Sequence, residues 1–189
     1  MANSDFEGHA GQDGENFLYF AYGSNLLTER IHHRNSSAAF CCVACLQDFK
    51  LDFGNFQGKT SQRWHGGIAT IFQSPGDEVW GVVWKMHKSN LSSLDDQEGV
   101  ESGTYVVIEV KVSTQERKQL TCRSYLMTNY ESAPPSPQYK KSPVDGQLGC
   151  FQVLAITNCA ALNIGAHISL WLFAWVQKKM ICHWSIKRS

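Results

Sequence analysis

Phe17 to Tyr22 reads FLYFAY, a short apolar and aromatic run closed by Gly23, which is the pattern of a strand buried on both faces. The period then changes. In SNLLTERIHHR the apolar positions Leu26, Leu27 and Ile31 recur at helical spacing, and Ser24 or Asn25 stands where a helix cap is expected. From Ala38 to Phe53 the chain is rich in strand formers and later alternates, with Phe49, Leu51 and Phe53 on one face and Asp48, Lys50 and Asp52 on the other, as in a half-exposed strand. Turn residues in GNFQGKTSQRWHGG lead into the strand IATIFQS, the turn SPGD and the strand EVWGVVWKM, which together suggest an antiparallel meander. Asn90 is placed to cap a short helix, LSSLDDQEG, that Gly99 terminates. TYVVIEVKV and the stretch around QLTCRSYLM, separated by the polar turn TQERK, predict two further strands, and the Pro- and Ser-rich NYESAPPSPQYKK predicts a loop or lid.

The two ends differ from this pattern. Residues 1–15 carry Asp5, Glu7, Asp13 and Glu15 and no apolar core of a signal peptide, so they read as a disordered lead. Residues 142–189 form an apolar extension in which no Asp, Glu, Lys or Arg occurs between Gly146 and Gln177. That stretch reaches the length of a membrane span, about 20 residues, but Gln152, Asn158, Asn163, His167 and Ser169 interrupt it. A segment packed on the sheet and a poorly ordered extension are therefore the favoured readings of the tail, and membrane contact the disfavoured one.

The composition narrows the function classes. With 17 basic and 17 acidic residues, the chain has no net field to attract nucleic acid. Its 189 residues suit one core and one active site. The seven cysteines read as reduced, buried thiols of a cytosolic protein; Cys42 and Cys45 lack a second Cys or His pair at zinc-finger spacing, so no metal site is expected.

Two local features carry chemistry. The YGSN turn, Tyr22 to Asn25, sets a glycine between strand and helix, where the first helical amides point outward and can bind a carboxylate or phosphate; a plain helix start is the alternative reading. Asp95, Asp96 and Glu98 gather at the end of the short helix, where the macrodipole disfavours negative charge. Stability does not ask for acids there, and the placement raises a carboxyl pKa toward the range of a general base, with ordinary solvated acids as the alternative. His65 in WHGG reads as a turn residue rather than half of a Cys–His dyad, and GNFQGKT lacks phosphate-loop spacing.

From Asn16 to Lys141 the strings YFAYGSNLLTERI, HGGIATIFQSPGDEVWGVVWKM, LDDQEGV, TYVVIEVKV and CRSYLMTNYESAPPSPQYKK resemble, in order, the mammalian γ-glutamylcyclotransferase family. The resemblance implies an α+β fold, a small mixed or antiparallel β-barrel flanked by short helices, with residues 16–141 as the catalytic domain. It implies an enzyme that releases 5-oxoproline from γ-glutamyl amino acids without a cofactor, in the cytoplasm and as a homodimer. Carried over position by position, it makes Glu98 the catalytic acid/base. Tyr19, Phe20, Ala21, Tyr22, Gly23 and Ser24 become the substrate loop, and Tyr139 and Tyr105 further substrate contacts. The resemblance ends after Lys141. The alternatives are a silent or membrane-tethered isoform that only binds, and a related cyclotransferase acting on glutathione or γ-glutamyl amines.

Overall fold

The computed structural model describes residues 13–137. The tail beyond Lys141 and Tyr139 lie outside them, and of the lead only Asp13–Glu15, a 3₁₀ turn, lies within them. Six strands follow: β1 (Asn16–Ala21), β2 (Ala39–Phe56), β3 (Ile68–His87), β4 (Val106–Thr114), β5 (Gln119–Leu126) and β6 (Tyr130–Ser132). Two short helices interrupt them, α1 (Thr28–His32) and α2 (Leu91–Glu98).

The sheet runs β3-β1-β5-β4-β2-β6, and because β3 also pairs with β2 the first five strands close into a barrel. The barrel is mixed: β1 lies parallel to β5, with Tyr19 opposite Arg123, and every other pairing is antiparallel. Closure leaves no open edge between β2 and β3, the two longest strands.

Strand alternation explains where the core sits. Phe20 of β1 faces the lumen with Ala44, Leu46, Ile71, Val79, Val83, Val110, Val112 and Cys122, drawn from all five barrel strands. Its neighbours Tyr19 and Ala21 face outward, where Leu26, Ile31 and Leu94 pack with Val82, Trp84 and Met86. The expected burial of β1 on both faces follows from this sandwiching. Each large aliphatic side chain so covered contributes about 1.5–3 kcal/mol.

Four local expectations need correction. SPGD is not a turn between two strands: Ser74 to Asp77 bulge out of the continuous β3, opposite Asp48, whose carboxylate accepts from the Gly76 amide at 2.9 Å. Ser24 and Asn25 cap no α-helix; they form a 3₁₀ turn, Ser24–Leu26, and α1 starts after Leu27 with no side-chain cap. Part of the supposed loop NYES is β6, which pairs with Gly54–Phe56 because Gly54 lets the Tyr130 ring lie against the backbone. Finally, Cys41 is exposed, at a β2 bulge, whereas Cys45 and Cys122 are buried. Burial pushes the Cys42 and Cys122 thiols up to about 12.

Candidate active site

The site forms where the chain leaves β1 and where α2 ends. After Ala21 the backbone turns through Tyr22 and Gly23 into the 3₁₀ turn, whose own bonds run from Leu26 and Leu27 N–H to the Gly23 and Ser24 carbonyls. Helical geometry leaves the amides of the first residues outside such bonds. Two hydrogen bonds from outside fix the turn: the Trp84 indole Nε1 donates to the Asn25 carbonyl at 3.0 Å, and the Tyr22 hydroxyl donates to the Tyr125 carbonyl at 2.6 Å.

Helix α2 ends as Gly99 was expected to end it. Gly99 adopts φ 69°, its amide bonds the Asp96 carbonyl, and the Val100 amide bonds the Asp95 carbonyl, the paired closure that a left-handed glycine permits. Leu94 is the one fully buried residue of the helix. The other anchors are polar. One Arg123 Nη2 donates to both Asp95 carboxylate oxygens, at 2.6 and 2.7 Å, and the Tyr125 hydroxyl donates to Asp95 Oδ1 at 2.6 Å.

Glu98, the last residue of α2, reaches the outer wall of β1. Asn25 Nδ2 donates to its Oε1 at 2.9 Å and to the Tyr19 hydroxyl at 3.1 Å, and the Tyr19 hydroxyl lies 3.4 Å from the same Oε1. Burial raises the Glu98 carboxyl to about 7, against the opposing bonds from Tyr19 and Asn25 and the positive charge of Arg30. The neighbouring Asp95 charge adds only a small push upward. Desolvation, rather than the crowding of acids, is thus the main cause. Asp95 faces Arg123, and Asp96 is exposed. Burial first, and the Glu98 charge second, hold the Tyr19 phenol well above its usual range, so Tyr19 stays a hydroxyl donor.

A cleft of ≈ 340 Å³, counting the solvent at its mouth, opens in front of Glu98 and is lined by Tyr19, Tyr22, Gly23, Ser24, Asn25, Ala69, Glu98, Tyr105 and Tyr125. Six residues singled out from the sequence therefore meet here: Tyr19, Tyr22, Gly23, Ser24, Glu98 and Tyr105. Phe20 and Ala21 do not line it. Their side chains are fully buried, in the lumen and under the helices respectively. Tyr105 donates to the Ala69 carbonyl, which fixes its ring in the wall. Tyr125 and Arg123 escaped the sequence reading, as did the side-chain role of Asn25: Asn25 was read as part of the YGSN turn and as a possible cap, while Arg123 and Tyr125 stand two apart on one face of β5, a spacing that carries no signal until Asp95 is seen opposite. His65, with φ 54°, is a turn residue whose amide bonds the Ser61 carbonyl. Among the described residues no cluster of three or more His, Cys, Asp or Glu could hold a metal ion.

This arrangement compares closely with known proteins. The chain is 85% identical over 141 residues to the mouse protein named gamma-glutamylcyclotransferase, a match covering 75% of each chain. The human protein of the same name is 83% identical over the same length and shares. The chain belongs to the γ-glutamylcyclotransferase family. A solved structure titled "Gamma-glutamyl cyclotransferase" superposes with a TM-score of 0.68 at 71% identity, covering 85% of this chain and 88% of that one. The model of the AIG2-like family matches residues 78–149, which include Glu98, Tyr105 and Tyr125. The expected α+β fold, a small mixed or antiparallel barrel flanked by short helices, is observed as a closed, mixed five-stranded barrel with few short helices.

Proposed function

We propose that this protein is a γ-glutamylcyclotransferase that converts a γ-glutamyl amino acid into 5-oxoproline and a free amino acid, with Glu98 carrying the proton. Membership of the family supports the reaction. The observation that carries the role of Glu98 is a carboxyl group raised to about 7 at the wall of a cleft that also holds the YGSN turn.

The substrate supplies its own nucleophile. Its α-amine attacks the γ-carbonyl carbon and closes a five-membered lactam; the C–N bond to the second amino acid breaks, and that nitrogen leaves as an amine. No electrons are exchanged with an outside partner. At neutral pH the α-amine is an ammonium and cannot attack. Ionised Glu98 accepts one of its protons and passes it to the leaving nitrogen as the C–N bond breaks; it then takes the second proton that the attacking nitrogen sheds to become the lactam N–H and gives it to the released amine, which departs as an ammonium, so one group serves as base and acid. A pKa close to the working pH suits both halves of that task.

The Gly23 and Ser24 backbone would hold the substrate α-carboxylate, with Tyr19, Tyr22 and Tyr105 shaping the space around the glutamyl chain. Holding amine and carbonyl in contact can be worth an effective concentration of about 10⁵ M or more, so binding geometry supplies most of the rate. Tyr139 retains the substrate-contacting role implied by the family resemblance, as does the assignment to a cytoplasmic homodimer. Free thiols at Cys41, Cys42 and Cys122 fit a reducing compartment.

The test is 5-oxoproline release from γ-glutamyl-alanine by the full chain and by Glu98→Gln. The substitution keeps the shape but accepts no proton, and turnover is expected to fall about 10²–10⁴-fold. Turnover by the variant within a few-fold of the unsubstituted chain would remove Glu98 from the mechanism.

A further inference from the structure

Glu98 is held by a chain of side-chain amides that begins at a buried residue remote from the cleft. Asn35 Nδ2 donates to Gln97 Oε1 at 3.1 Å, Gln97 Nε2 donates to Asn25 Oδ1 at 2.8 Å, and Asn25 Nδ2 donates to Glu98 Oε1 at 2.9 Å. Every link points the same way, toward the carboxylate. Each amide accepts at its oxygen and donates from its nitrogen, so the dipoles align and successive bonds polarise one another.

We propose that Asn35, Gln97 and Asn25 are positioning residues that fix Glu98 Oε1 and thereby reserve Oε2 as the oxygen that exchanges the proton with substrate. This rests on the assignment of Glu98 as the proton carrier. All the hydrogen bonds that reach the Glu98 carboxyl among the described residues fall on Oε1.

The chain is not explained by packing. Asn35 is fully buried and its Oδ1 has no hydrogen-bond partner among the described residues, a loss that typically costs about 1–3 kcal/mol and that an apolar residue would avoid. Its backbone is pinned at both ends, with its amide on the Ile31 carbonyl and its carbonyl accepting from Ala38, so the side chain is aimed at Gln97 from a fixed base. Asn25 is equally constrained: its carbonyl accepts from Trp84, its Oδ1 from Gln97, and its two amide hydrogens go to Tyr19 and Glu98. Without the Gln97 donor, the Asn25 amide could turn over and present its oxygen to the carboxylate. The Gln97 bond settles which end faces Glu98.

The other charged or titratable groups that act on Glu98 are Tyr19 from β1, Arg30 from α1 and Asp95 from α2 itself, and the Tyr105 and Tyr125 hydroxyls share the cleft. Of these, Tyr19 and Arg30 favour the ionised form, as Asn25 does, and Asp95 disfavours it. Loss of the Asn25 donor leaves the remaining set in place and moves the Glu98 midpoint upward.

The experiment uses the full chain and the variants Gln97→Met and Gln97→Glu, since Gln97 lies behind Asn25 and outside the cleft lining. Two readouts are taken: the pH dependence of kcat and KM for γ-glutamyl-alanine, and the midpoint of the Glu98 carboxyl carbon signal in an NMR titration. For Gln97→Met, kcat is expected to fall about tenfold, as for a modest displacement of a reacting group, with KM within about twofold. The ascending limb of the pH profile and the NMR midpoint are both expected to move to higher pH. Gln97→Glu removes the donor and adds a negative charge, so its midpoint moves further in the same direction. An unmoved midpoint with unchanged kcat in both variants overturns the proposal. If the Glu98→Gln variant keeps its activity, the assignment of Glu98 itself fails; the NMR midpoint then still reports whether the amide chain controls that carboxyl.

Discussion

Replacing Glu98 by Gln should make the protein more stable above neutral pH while greatly slowing its chemistry. The Glu98 carboxyl titrates at about 7 in the folded protein, against 4.5 for a solvated glutamate. Below the lower value both states are protonated, and the buried neutral acid carries no penalty. As pH rises between the two values the unfolded chain ionises first, so it binds fewer protons than the native state and stability falls. Above the upper value both states are charged and the loss is complete. At about 1.36 kcal/mol per pKa unit, the full loss is about 3 kcal/mol. Glutamine does not titrate, so its variant lacks this decline. Urea unfolding of both proteins, followed by tryptophan fluorescence, would compare them at about pH 5 and pH 8. All other groups are shared, so the difference between the proteins isolates position 98. The variant is expected to lead by less than about 1 kcal/mol at the lower pH and by about 3 kcal/mol at the higher, at unchanged denaturant slope. Parallel stability curves for the two proteins would refute the claim that burial is what raises this carboxyl.

Further outcomes follow from the same geometry. For the intact enzyme, kcat/KM should rise with pH through a midpoint near the value of about 7 carried by Glu98, because only the ionised form accepts a proton; a flat profile between about pH 5 and 9 would contradict this. Arg123→Met leaves the Asp95 carboxylate beside Glu98 without its cationic partner, so the midpoint of that limb should move upward and chemical stability should drop by about 1–3 kcal/mol; a downward move would contradict the pairing. Gly81→Ala would place a methyl carbon 2.4 Å from the Ala21 carbonyl oxygen, and urea unfolding should show a loss of about 1–3 kcal/mol where an open site would show almost none. Tyr105→Phe strands the Ala69 carbonyl and should cost about 1 kcal/mol in a thermal or urea melt.

Much of the framework was legible because hydrophobic period reports burial directly. FLYFAY reads as a doubly buried strand, and that is its place between lumen and helices. The α2 boundaries were equally plain, since Gly99 is the left-handed closure that its position suggests. What the period cannot convey is pairing. Nothing in SPGD distinguishes a hairpin turn from a four-residue bulge; the answer lies with Asp48, which bonds Gly76 across the gap. NYES reads as a loop until Gly54 offers it an edge. In the site, Asp95, Asp96 and Glu98 stood out together because acids at a helix end are locally unfavourable, and only the family resemblance singled out Glu98 among them, whereas the Asn25 side chain did not, because an Asn after a glycine turn is locally ordinary. Residues that serve a partner far along the chain leave no local trace, and Asn25, Gln97 and Arg123 are all of that kind.

The three acids of α2 then resolve into three different solutions to one electrostatic problem. A helix of eight residues with one buried apolar side chain cannot be fixed to the barrel by hydrophobic contact alone. Asp95 supplies the missing attachment by pairing with Arg123 on β5, which removes its charge as a burden and ties the helix end to a strand. Asp96 is left to solvent. Glu98 is half-buried at the cleft wall and forms no ion pair among the described residues, so desolvation favours its holding a proton near neutrality. The strut at Asp95 and the amide at Gln97 both precede it in the last turn of the helix, one bonded to β5 and the other to the turn after β1. Any rotation of α2 that would carry Glu98 out to water must break both. The carboxyl is thus confined to the poorly solvated place that gives it a useful pKa, and the groups that confine it spend polar contacts rather than apolar burial to do so.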